Sequence, residues 1–231
     1  MRDTLAILRK ECLELAGERD TRRGGAIQLL VMTVVLGVVV PLRRAAQWDQ
    51  WNATVVMPYV VIGTLLSAGV AADAFAGERE RRTLATLLTT PASEFDILLG
   101  KACAVVLFGL TIALVPWAVT LVVATVRGVP WGPVVPLTAA CIWLTVCSSF
   151  SLGTIAIGTS LQTTSARASQ QISSVVILVV FAAGSYLWQE LSLPLTLSAF
   201  CVGGAVALVW GGLGLFVLSR RFRRERLFAR S

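Results

Sequence analysis

Histidine is absent from the 231 residues, and lysine occurs only twice, as Lys10 and Lys101. Acids are scarce as well: Asp and Glu number 13 against 20 basic residues, 18 of which are Arg. Without histidine the chain lacks the commonest metal ligand and the usual general base. The five cysteines (Cys12, Cys103, Cys141, Cys147, Cys201) form no CxxC pair, and four lie in apolar runs. Zinc ligation, haem attachment and a disulfide framework therefore have no support, and no metal site or cofactor is expected in this chain. A GxxxxGK[ST] phosphate loop is missing too. Gly100-Lys101 is followed by Ala102, has no upstream glycine and runs into an apolar stretch, so the chain is not expected to hydrolyse ATP. Paired acids inside apolar runs are absent, which argues against an intramembrane hydrolase.

What the chain has instead is apolar length. Hydrophobic residues make up 56% and charged residues only 14%, where soluble domains carry roughly 25% charge. A helix crosses the hydrocarbon with roughly 20 apolar residues. Six runs qualify: Ala26 to Leu42, Ala53 to Ala76, Ala102 to Val126, Val134 to Ser160, Ile172 to Gln189 and Leu195 to Leu218. The expected fold is an all-α membrane protein with six transmembrane helices. Three regions follow: an amphipathic segment over 1–25, a six-span domain over 26–218 with a cytoplasmic loop at 77–101, and a basic tail over 219–231.

Basic residues set the direction of such spans. With the N-terminus in the cytoplasm, 17 of the 20 basic residues fall inside, and only Arg43, Arg44 and Arg127 fall outside. Both termini are thus expected in the cytoplasm. Trp48, Trp51, Trp131 and Trp188 then lie at the outer boundary, where indole rings prefer to sit. The net charge of +7 serves orientation, not nucleic acid, because the charges flank the apolar runs. The segment before the first span is too long and too amphipathic for a signal peptide. Its Leu5, Leu8, Cys12 and Leu15 recur at helical spacing, which predicts an interfacial elbow helix with its apolar side toward lipid. A helix packed on the protein itself is the other reading.

The loop GERERRTLATLLTTPASEFDILLGK, Gly77 to Lys101, is the longest cytoplasmic connection. Glu78 to Thr89 reads as a short amphipathic helix with Leu84, Leu87 and Leu88 on one face. Glu78 and Arg82 form an i,i+4 pair with the acid first. Pro91 stops that helix. Ser93 is an N-cap, with Asp96 at capping-box spacing. Asp73 lies one turn inside the second span and reads either as a tie to Arg79, Arg82 or the neighbouring elbow, or as a snorkelling acid. In the sixth span Gly203, Ala207 and Gly211 recur at four-residue steps, a spacing that suits close packing within the chain or between two chains. Pro116 is expected to kink the third span.

This loop resembles the stretch after the second span of ABC-2 type transporter permeases. The resemblance rests on Asp73, Glu78-Arg79-Glu80, Thr83-Leu84, Leu87-Leu88, Thr90-Pro91 and Leu98-Leu99-Gly100-Lys101. The six-span, both-ends-in layout matches as well. The segment available between spans five and six is shorter than the partly re-entrant one that several family members carry. The resemblance implies a coupling helix that docks on a separate ABC ATPase, which would bind ATP and magnesium. Glu78, Arg79, Glu80, Arg81, Arg82 and Thr83 are its candidate contact residues, supported by Asp73, Pro91, Ser93, Asp96, Gly100 and Lys101. It also implies two permease chains, identical or paralogous, in a bacterial cytoplasmic membrane, surrounded by lipid and working as an exporter. Spans without His, Lys or Arg in their interiors suit a hydrophobic or amphipathic cargo. A non-transport ABC-2-like assembly factor, an intramembrane enzyme and a passive channel are the rival readings.

Overall fold

The computed structural model describes residues 2–17, 27, 29–43, 55–83, 93–128, 134–163, 165–190 and 197–221. Among them there are helices and no strands. We number the helices α1 (Arg2–Gly17), α2 (Leu29–Leu42), α3 (Met57–Glu80), α4 (Glu94–Val126), α5 (Val134–Gln162), α6 (Ala166–Glu190) and α7 (Leu197–Arg221).

Five helices, α3 to α7, are long and apolar enough to cross a membrane. The first predicted span differs. It is described only in part, as the apolar helix α2 over Leu29–Leu42. It also contains a π-helical turn at Val35–Val39. By contrast α4 has 33 residues, about 50 Å of helix. Its charged residues, Glu94, Asp96 and Lys101, all lie in its first turns.

That end is where the chain keeps its charge. The end of α3, the start of α4, the end of α5 and the start of α6 meet there; α1 packs on the start of α4, and its Lys10 reaches the end of α3. Helix α3 runs against both α4 and α5, and α5 against α7. Two apolar cores result. One lies toward the charged end and includes Phe75, Ile97, Leu98, Val105, Ala156, Ile157 and Leu215. The other lies toward the far end and includes Leu36, Tyr59, Trp117, Leu137 and Cys141.

Between α3 and α5 the contact is made by hydroxyls. Thr64 and Ser148 lie 2.6 Å apart, and Ser67 donates to Ser149 at 3.2 Å. Gly109 of α4 faces the same seam, because an added Cβ there would lie 2.5 Å from Ser149 Oγ. Within lipid every polar group needs an internal partner, and small hydroxyl residues let helices approach closely while supplying one. Helices α6 and α7 are the least buried of the spans. They turn outward an apolar surface that includes Val175, Leu178, Val206, Val209 and Trp210, as expected of a surface facing lipid.

Pro116 does lie inside α4. The predicted Gly203, Ala207, Gly211 stripe divides in two. Gly211 is buried, and a Cβ there would meet Phe150 at 2.7 Å. Gly203 is exposed and Ala207 half-buried. The neighbour Gly204 makes the second close contact instead, beneath the Trp143 indole, which donates to the Cys201 carbonyl at 3.3 Å.

Candidate functional site

The start of the second-to-third connection differs from its sequence pattern. No separate helix begins at Glu78. Helix α3 continues to Glu80, and the chain then turns at Arg81 and Arg82. Arg82 has φ 57, in the left-handed region. The Thr83 N–H returns to the Glu78 carbonyl at 2.9 Å, and the Arg81 N–H to Gly77 at the same distance. These bonds satisfy carbonyls that a helix end leaves open. Pro91 and the leucines at 84, 87 and 88 lie outside the described residues.

Beyond the turn, Ser93 caps α4 as expected. Its Oγ accepts from the Asp96 N–H at 3.1 Å and donates to Asp96 Oδ2 at 2.5 Å. The other Asp96 oxygen takes the Thr4 hydroxyl of α1 at 2.5 Å. One turn on, Gly100 forms the floor on which α1 rests: a Cβ there would lie 2.8 Å from Ile7 Cγ2 and 3.2 Å from the Thr4 carbonyl. Any larger residue would push α1 off α4.

Lys101 stands at the centre. Its side chain is 1% exposed. The ammonium donates to Glu11 Oε1 at 2.7 Å, to Glu78 Oε1 at 3.0 Å and to the Ala74 carbonyl at 2.8 Å. It also lies 5.0 Å from the centre of the Phe75 ring. Three donor hydrogens thus find three acceptors, and the ring face adds a cation–π contact. Lys10 of α1 reaches the same Glu78 oxygen at 3.0 Å. Two cations and two acids therefore neutralise one another where α1, α3 and α4 meet. A lone buried charge would be costly here, whereas a paired and fully bonded set is tolerated. Glu78 Oε2 is buried and has no partner among the described residues.

The remaining candidates also bind within the chain. The Arg79 guanidinium donates to the Thr163 carbonyl at the end of α5. Glu80 Oε1 accepts the Ala166 N–H at 2.9 Å, so a carboxylate sits on the positive N-terminus of α6. Arg81 pairs with Asp73 at 3.6 Å, and the Asp73 carboxylate lies over Gly77. The end of α3 thereby holds α1, α4, α5 and α6 together. Glu80, Arg81, Arg82 and Thr83 are the members of the candidate set that remain exposed.

Lys10, Glu11, Thr4 and Ser160 are partners that the sequence reading did not assign. Thr4, Ile7 and Glu11 recur at helical steps, but a stripe of mixed polarity gives no amphipathic signal. Ser160 Oγ accepts the N–H groups of both Phe75 and Ala76 at 2.9 Å. Helix α1 packs on the protein through Ile7, buried against α4, while Leu5 of the predicted apolar stripe is 62% exposed.

Long apolar helices, outward apolar faces and hydroxyl-lined contacts between helices define a multi-pass α-helical membrane protein. The family can be stated more closely. A family model described as ABC-2 family transporter protein matches residues 25–185, from before α2 into α6. The chain belongs to that family. No curated protein matches it.

Proposed function

We propose that this chain is the permease subunit of an ATP-driven ABC-2 type exporter. In this reading the charged end faces the bacterial cytoplasm and a separate ABC ATPase docks there. A second permease chain completes the transporter, and the cargo is hydrophobic or amphipathic.

The observation that carries the proposal is the way the end of α3 is fixed. A movement in a soluble partner reaches the membrane only through an element that resists bending and differs in contact between states. The Glu78–Lys101–Glu11–Lys10 cluster ties α1, α3 and α4 into one such body. Arg79 and Glu80 extend it to α5 and α6. The turn at Arg81 to Thr83 continues from this body and is exposed, with two arginines in it. Family membership and the basic residues clustered at this end support the same orientation. The division of labour is thus within the loop: Glu78, Arg79 and Glu80 transmit, while Arg81, Arg82 and Thr83 make contact.

The test is co-purification with an ABC ATPase, sought first among the products of neighbouring genes. Arg81→Glu and Arg82→Asp, the latter compatible with a left-handed backbone, should abolish association and leave folding intact. Undiminished association in both variants would overturn the docking assignment.

A further inference from the structure

One turn before Glu78, α3 is gripped through its backbone. In a regular α-helix each N–H returns to the carbonyl four residues back, so the N–H groups of Phe75 and Ala76 belong to Ala71 and Ala72. Both of them also meet a single oxygen from another helix, Ser160 Oγ of α5, at 2.9 Å each. A side chain that enters the hydrogen-bond ladder in this way is one of the few causes of a bend in a helix. The Ala74 carbonyl is engaged from a third helix: Lys101 of α4 donates to it at 2.8 Å. Gly77 follows directly, and glycine holds a helix less firmly than any residue except proline. Phe75, Ala76 and Ser160 are each 0% exposed, so no water takes the place of the hydroxyl.

This turn separates two parts of α3 with different attachments. Before it, Thr64 and Ser67 bond to Ser148 and Ser149 of α5. After it, Glu78, Arg79 and Glu80 bind α1, α4, the end of α5 and the start of α6. A loosened ladder between two firmly held parts is where a helix yields under load, unless a neighbour locks it. Ser160 is such a lock, because one buried oxygen holds two successive N–H groups.

We propose that Ser160 is a positioning residue that fixes the angle between the membrane-crossing part of α3 and its charged end. With the hydroxyl removed, the Phe75 and Ala76 N–H groups still have the Ala71 and Ala72 carbonyls as acceptors. The chain therefore folds, but the angle at the turn is no longer set by α5, and the segment from Gly77 to Thr83 shifts relative to the bundle. This positioning is independent of the transport reading. Its use, to carry a partner's movement from Arg81, Arg82 and Thr83 into the spans without loss at the turn, rests on that reading.

The test uses the full chain in lipid nanodiscs, in a cysteine-free background, with pairs of spin labels. Thr83→Cys with Leu107→Cys reports across the turn, and Leu65→Cys with Leu107→Cys reports on the membrane side of it; all three positions are exposed. Ser160→Ala should shift or broaden the first distance by a few ångströms and leave the second unchanged. Ser160→Thr keeps the hydroxyl and should keep both distances at their parent values. If its added methyl group prevents folding, the alanine variant alone decides. An unchanged Thr83–Leu107 distance in Ser160→Ala would overturn the proposal, as would equal broadening of both pairs, which marks general loosening. In a complex with an ABC ATPase, Ser160→Ala should keep association and lose the change in the Leu65–Leu107 distance that ATP produces in the parent. A full ATP-dependent change in the variant would leave the positioning role standing and remove its use in transmission. Failure of any ABC ATPase to assemble with the parent chain would count against the transport reading alone.

Discussion

At the scale of single residues, the chain commits its two lysines to one place. Lys101 is held by Glu11, Glu78 and a carbonyl, at 1% exposure. Lys101→Met would leave Glu11 without this cation and Glu78 with Lys10 alone. Breaking a buried ion pair from one side costs about 3–5 kcal/mol, and the remaining Lys10 places this loss near about 3 kcal/mol. Thermal unfolding in detergent measures it. Adding Glu11→Gln and Glu78→Gln to Lys101→Met should recover part of the loss, because the stranded charges are removed. Lys101→Arg should not restore the parent stability, since a planar guanidinium cannot reproduce three bonds from one ammonium point. None of this was legible from Lys101 itself, which in sequence is one more basic residue flanking an apolar run. Burial depends on which helix lies across it, and that helix is 90 residues away in the chain, at Glu11. The Ser93 cap was legible because its partner, Asp96, is three residues away.

At the scale of elements, the close approaches are made by glycines. Gly100→Val should drive Ile7 and the α1 backbone away from α4. The expected readouts are faster proteolysis within Arg2–Gly17 and a loss of about 1–3 kcal/mol from overpacking. Gly211→Val should cost a similar amount, about 1–3 kcal/mol, through collision with Phe150 and Ser151 of α5. Gly212→Ala, where nothing lies within 4 Å, should be neutral, and unfolding curves of the pair separate the two faces of α7. Glu80→Gln removes a carboxylate from the N-terminus of α6 and should weaken it by about 0.5–1 kcal/mol, less at high salt. The small-residue periodicity of the sixth span identified a close-packing helix, but periodicity alone did not choose between Gly203 and Gly204 as its contact. The choice is made by Trp143 on α5, a partner that lies outside the periodic stretch. Likewise the leucine pattern after Glu78 did not show that α3 continues through Glu80, because a helix joined end to end with a span has no local start signal.

For the whole molecule, apolar length and charge placement identified a multi-pass helical membrane protein before any contact was known, since lipid admits few ways to satisfy a backbone. The first span was read from composition, which could not show the π-turn at Val35–Val39 that its described helix carries. The proposed orientation makes a further prediction. In a cysteine-free background, Arg82→Cys should react with an impermeant thiol reagent only after cells are opened, and Arg127→Cys should react in intact cells. Labelling of both from one side would refute the assignment of the charged end to the cytoplasm.

The four-charge cluster also imposes an order on biosynthesis. Ribosomes deliver Lys10 and Glu11 first, Glu78 next and Lys101 last, so both carboxylates are already waiting when the final ammonium emerges. The amino-terminal helix has no anchored site until the third crossing has begun. A nascent chain halted before residue 101 would therefore hold its opening segment loose at the bilayer surface, and release of the next few residues would fasten it in place.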